Sequence, residues 1–215
     1  MPIVQLVGAV LFTFGSACFV WQSWVDDWLL PMRIGCAAWI GGAMPYFLPP
    51  LRNEYYGEGS HLSNALQVGG MLGWAIGSSF AFLDDLDTGL PVTNGGFMAG
   101  SACLLVDALL QARHLRSGAA TPRNEKISIV ADLLAGMFYV LAGAFGGYAT
   151  EVGLLRFGNV CWLVGSLFSF ARPCLALSEA SRTAGSTRSQ DLKPSFDSGG
   201  VQLTNVRSVA VDVVS

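Results

Sequence analysis

The chain has 215 residues, 52% of them hydrophobic and only 13% charged, with a formal net charge of −3. This balance excludes a soluble globular domain, and the lack of any basic stripe excludes a nucleic-acid partner. It fits a multi-pass protein whose first partner is the lipid bilayer.

Six apolar runs approach the roughly 20 residues needed to cross a hydrocarbon core of about 30 Å. They cover 3–25, 31–49, 64–83, 92–112, 127–149 and 153–171. Their apolar residues are continuous rather than alternating, which predicts helices and not barrel strands. The first run begins almost at Met1 without a positively charged leader, so it reads as a retained helix, with a cleaved signal as the alternative. In chain order the runs carry Gly8 and Gly15-Ser16, Gly35 and Gly42-Ala43, and Gly70 and Gly77-Ser78. The later three carry Thr93 and Gly100-Ser101, Gly136 and Gly143-Ala144, and Gly158 and Gly165-Ser166. A spacing of seven residues puts each pair on one helix face, where small residues let two backbones approach in lipid. After Leu177 the composition turns to Ser, Thr, Gly and charge, which predicts a disordered cytoplasmic tail over 178–215. Ser181, Thr183, Ser186, Thr187 and Ser189 flank Arg182 and Arg188 there, as generic phosphorylation candidates.

The basic residues sort by side. Arg52, Arg113, Arg116, Arg123, Lys126, Arg172, Arg182 and Arg188 fall with the termini and the even-numbered loops, and only Arg33 and Arg156 fall opposite. The positive-inside rule then places both termini in the cytoplasm. The opposite face is acidic, with Asp26-Asp27, Asp84-Asp85, Asp87 and Glu151. Trp21, Trp24 and Trp28 on that side, and Tyr46, Tyr55 and Tyr56 on the other, suggest interfacial belts.

The second small-residue marks are separated alternately by short and long steps: 27, 35, 23, 43 and 22 residues. That rhythm predicts an all-α membrane domain over 1–177, built as three tandem parallel helical hairpins at about 1–57, 58–118 and 119–177. A general packing habit of membrane helices would give similar marks without duplication. The segments Gly8-Ala9-Val10-Leu11-Phe12-Thr13-Phe14-Gly15-Ser16 and Gly158-Asn159-Val160-Cys161-Trp162-Leu163-Val164-Gly165-Ser166 resemble the glycine–aromatic–Gly-Ser helix of the YrhK-like membrane proteins. That resemblance implies an origin in a short two-helix domain. It implies no activity and no functional residue.

Two carboxylates fall inside predicted spans, Asp107 and Asp132, each six residues from a basic residue at the same boundary. Intramembrane acids are costly and mark functional sites by default. If their helices touch, the two could share a proton. The structural alternative is an ion pair with Arg113, Arg116, Arg123 or Lys126. Gln22, Asn64 and Gln67 could line a polar path or join helices by hydrogen bonds. His61 and His114 sit in loops without a nucleophile partner. Cys18, Cys36, Cys103 and Cys161 read as apolar fillers, and Cys174, beyond the last span, as an interfacial thiol open to acylation. No catalytic motif, metal cluster or cofactor loop appears, so no enzyme is expected. Two functions remain: a structural partner that binds other membrane helices or a second copy through its glycine faces, or a small-solute or ion transporter using Asp107 and Asp132.

Overall fold

The computed structural model describes residues 2–56, 60–116, 121–146 and 151–191. Among them are seven helices and no strand: α1 Pro2–Gln22, α2 Leu29–Tyr56, α3 His61–Phe80, α4 Leu86–Arg116, α5 Arg123–Gly146, α6 Val152–Phe168 and α7 Ala171–Asp191. Each predicted run lies largely inside one of the first six. Proline marks the helix entries, as at Pro2 and Pro31, where a missing N–H costs nothing. Asp85 starts α4 by accepting hydrogen bonds from the Asp87 N–H at 3.2 Å and the Thr88 hydroxyl at 2.6 Å. Those bonds hold its exposed carboxyl below the usual range, with the Thr88 hydroxyl the larger cause.

Four helices are long and apolar enough to cross a membrane: Pro2–Gln22, Leu86–Arg113, Arg123–Gly146 and the stretch Val152–Thr183 that joins α6 to α7. The two that fall short, α2 and α3, are rich in Gly, Ser, Pro, Trp, Asn and Gln. These residues lower mean hydropathy while packing well against other helices.

The part of the chain from Met1 to Glu179 forms one compact unit. Within it α1 packs on α2, α2 on α3, α3 on α4, α4 on α5, α5 on α6 and α6 on α1, so the contacts close a cycle. The closest backbone approaches use the small residues. A Cβ on Gly8 would lie 2.9 Å from the Gly42 carbonyl oxygen, and one on Gly35 would lie 2.9 Å from that of Gly15. Between α3 and α4 the same holds for Gly100 against the Gly70 carbonyl oxygen at 2.7 Å and Gly77 against that of Thr93 at 2.8 Å. The residue standing in the glycine place of α4 is thus opposite a glycine. On α6, Gly158 lies against Gly146 and Gly165 against Ala135 and Tyr139. The marks predicted on α5 are displaced by one residue: Gly136 faces Leu105 and Gly143 faces Met98, both on α4. Ala135 and Ala142, both buried, occupy the register toward α6 instead.

At the centre of the cycle each helix contributes one aromatic ring. Phe12, Trp39, Trp74, Phe97, Tyr139 and Trp162 stand four residues after Gly8, Gly35, Gly70, Thr93, Ala135 and Gly158, and all six are buried. Ring centroids lie 4.7 Å apart for Trp39–Trp74, 4.9 Å for Trp39–Trp162 and 4.8 Å for Trp74–Tyr139, mostly edge to face. Such pairs add about 0.5–1.5 kcal/mol each beyond area burial. Beside the rings the hydroxyls of Ser16 and Ser166 meet at 2.8 Å, and Ser101 accepts from Trp74 Nε1 at 3.3 Å.

Two expectations need correction. Tyr46 is not an interfacial anchor: its ring packs over Gly8 and against Phe12 inside the bundle, whereas Trp21, Trp24 and Tyr55 are exposed. The stretch from 178 is not irregular from its start, because α7 stays helical to Asp191. Residues 192–215, and the side chains of Ser186, Thr187 and Ser189, lie outside the described residues.

Candidate functional site: two cavities flanking an aromatic layer

At the end of the bundle where α1 begins, a cavity of about 210 Å³ reaches both predicted carboxylates. Asp107 comes from α4 and Asp132 from α5, and the layer side of the cavity is formed by Phe12, Trp74 and Tyr139. The two acids do not meet. Arg172 donates from Nε to Asp132 Oδ2 at 2.9 Å and again from Nη2 to the same oxygen. The same Nη2 donates to Gln111 Oε1 at 3.1 Å, and Gln111 Nε2 donates to Asp107 Oδ2 at 2.8 Å. Asp107 also accepts from Gln67 Nε2 at 2.9 Å and from the Ser63 hydroxyl. One chain of hydrogen bonds therefore runs from α5 through α7 and α4 to α3.

The described basic residues expected as partners are not the ones used: Arg172, rather than Arg113, Arg123 or Lys126, neutralises Asp132, and the side chain of Arg116 lies outside the described residues. The reason is the break at Ser169–Phe170, two turn residues that end α6 and start α7. They set Arg172 on the first turn of the new helix, level with Asp132 on the third turn of α5. The pair is solvated on one side: the Arg172 and Asp132 side chains keep 41% and 28% of their surface exposed. Asp107 is buried. Tyr46 lines the same cavity with a hydroxyl that finds no partner among the described residues. Sequence reasoning named Asp107, Asp132 and Gln67 but missed Arg172, Gln111 and Ser63. The signal for Gln111 was its place four residues after Asp107 on one helix face.

Nearby, Glu54 accepts from His61 Nδ1 at 2.6 Å and Asn64 Nδ2 at 3.2 Å. The Asn64 bond first, and the His61 bond second, hold this exposed carboxyl below the usual range.

The opposite end of the bundle has a second cavity of about 370 Å³, bounded by the ends of α1, α2, α4, α5 and α6. Its floor is the other side of the aromatic layer, Phe97 and Trp162, whose rings lie 5.2 Å apart. None of its described lining residues is charged. Gln22, predicted as a polar-path residue, lines this cavity and not the one with the aspartates. At its edge Arg156 donates to the Ser23 carbonyl at 3.1 Å and lies 3.8 Å over the Trp24 ring. Arg33 donates to the carbonyls of Ala81 at 3.4 Å and Leu83 at 3.3 Å. The two basic residues on this side therefore tie neighbouring helices together.

Among the described residues no cluster of His, Cys, Asp and Glu could hold a metal ion, and the five cysteines are free thiols. Set against protein-family models, curated proteins and solved structures, the chain matches none.

Proposed function

We propose that the chain is a six-span integral membrane protein, three parallel hairpins with both termini cytoplasmic, that moves a small solute with its cytoplasmic carboxylates as coupling groups. The hairpins descend, in this reading, from a two-helix unit like that of the YrhK-like proteins. The observation that carries the reading is the cavity of about 210 Å³ that reaches Asp107 and Asp132. It is backed by a second cavity on the far side of a single layer of rings. A carboxylate paired with a half-exposed arginine can exchange that partner for a proton, and the network through Gln111 links that exchange to Asp107.

The glycine faces bear on the alternative. Gly8, Gly15, Gly35, Gly42, Gly70, Gly77 and Gly100 are used against helices of the same chain, which counts against their serving as docking faces for a partner helix. A second reading, a non-transporting structural partner, draws its support from the aromatic layer that fills the centre of the cycle.

Reconstituted vesicles test the two. Wild-type protein dissipates a pH gradient when a small polar solute is supplied, and Asp132→Asn and Asp107→Asn lose that response. Equal dissipation by all three proteins removes the carboxylates from the mechanism. A wild type that never responds to any solute favours the structural reading.

A further inference from the structure

The charge-free cavity contains polar atoms that the protein leaves without partners. Among the described residues Asn159 Nδ2, Thr93 Oγ1 and Gln22 Oε1 have no hydrogen-bond partner, and all three residues line this cavity. Asn159 and Thr93 are each only 3% exposed, so they are not surface groups solvated in passing. They come from α6, α4 and α1, three separate helices whose polar atoms converge on one space. A buried amide or hydroxyl without a partner costs on the order of 1–3 kcal/mol, and native proteins leave few such groups unexplained. Here one cavity collects three.

We propose that this cavity is a binding site for a small, uncharged solute that carries both a hydrogen-bond donor and an acceptor. The chemistry follows from the lining. Asn159 Nδ2 can only donate, Gln22 Oε1 can only accept, and the Thr93 hydroxyl can do either. A ligand satisfying all three therefore needs both functions. No Asp, Glu, Lys or Arg among the described lining residues could balance a charge, and an ion taken out of water beside Phe97, Trp162 and Met32 would meet a large desolvation cost. About 370 Å³ lies at the small end of ligand pockets. Simple amides and small polyols share the required chemistry; carboxylates and ammonium ions of the same size do not.

That this solute is the cargo rests on the transport reading above. That it binds does not, so the test measures binding alone. Purified full-length protein in detergent is titrated with acetamide and glycerol, and separately with acetate and methylammonium, following tryptophan fluorescence. Trp162 and Trp28 line the cavity and report its occupancy. The expected result is a saturable change with one or both neutral probes and none with the charged ones. Thr93→Val, which keeps the shape, and Asn159→Leu each weaken it at least about tenfold, the loss of roughly one buried hydrogen bond. Glu54→Gln, a substitution outside both cavities, leaves it unchanged, and because the titration reads binding and not flux, a failure of this site is distinct from a failure of the carboxylate mechanism. Should the Leu variant not fold, the Val variant still decides. Equal or tighter binding of acetate or methylammonium overturns the proposal. So does the absence of any saturable response to both neutral probes in protein that melts cooperatively.

Discussion

The two cavities use polar residues in opposite ways. At the end where α1 begins, charge is buried together with its complement: Asp132 has Arg172, and Asp107 collects donors from Ser63, Gln67 and Gln111. The cavity at the other end has no charged side chain among its described lining residues, and Asn159 Nδ2, Thr93 Oγ1 and Gln22 Oε1 stand without partners among the described residues. A carboxylate in a bundle core requires donors wherever it sits, so its network is built into the fold. A neutral amide or hydroxyl costs less to leave open, so it can be kept for something outside the chain. One layer of six rings separates the two regimes.

That separation is easiest to break at the layer itself. Gly96 sits beside Phe97, and a Cβ there would meet only backbone: Gly77 Cα at 2.6 Å and the Gly73 carbonyl oxygen at 2.7 Å. Gly96→Ala therefore forces α3 from α4 and should cost about 2–3 kcal/mol, merging the cavities as it does so. Gly95→Ala, with nothing within 4 Å of its Cβ, should be neutral or gain up to about 1 kcal/mol. Thermal midpoints of the two variants in detergent check the contrast, and equal midpoints would remove the close approach from the argument.

A smaller effect is expected in the charged cavity. Asp132→Asn leaves Arg172 without its counter-charge and should cost about 2 kcal/mol, less than the 3–5 of a dry pair because both side chains keep solvent. Asp132→Asn combined with Arg172→Gln should recover much of that loss in the same melting assay. A double variant as unstable as the sum of its parts would mean that the pair does not act as a unit.

In the neutral cavity the sign should reverse. Asn159→Leu removes an unpartnered polar group and should leave stability unchanged or raise it by about 1 kcal/mol, measured without added solute. A loss above about 1 kcal/mol would show that Asn159 is held by the protein after all.

The smallest effect concerns Glu54, outside both cavities. Its folded carboxyl titrates below the ordinary range, so its contribution is present above the unfolded carboxylate pKa and is lost as pH falls through the folded value. Glu54→Gln should flatten the melting midpoint against pH on the acid side only. A wild-type profile already flat there would remove the linkage.

Helix positions were legible in the sequence because long apolar runs in lipid admit few other structures. The small-residue faces were legible too, as backbone approach demands small side chains at fixed spacing. What escaped was the residue between the glycines. An aromatic four positions after the first mark, or three after it on α5, reads in isolation as one more apolar residue, and only three-dimensional packing shows Phe12, Trp39, Trp74, Phe97, Tyr139 and Trp162 as one layer. The register of α5 escaped because Ala135 and Ala142 do the work of glycine while Gly136 and Gly143 lie one residue away, facing α4. Both carboxylates were visible as intramembrane charge. The partner of Asp132 was not, because Arg172 lies 40 residues from it and reaches it only through the turn at Ser169–Phe170. Asn159 and Thr93 were read only as neighbours or stand-ins of a glycine, since nothing in a linear pattern tells a polar atom without a partner from one that has found it.

The aromatic layer has one further consequence, an optical one. Trp39 stands 4.7 Å from Trp74 and 4.9 Å from Trp162, both edge to face. Indole chromophores this close and this fixed couple their electronic transitions, so the closed core should carry an exciton couplet in its ultraviolet circular dichroism. A conformation that parts the rings to join the two cavities would lose that couplet while the helical signal stays, giving the protein a built-in, label-free indicator of whether its centre is shut.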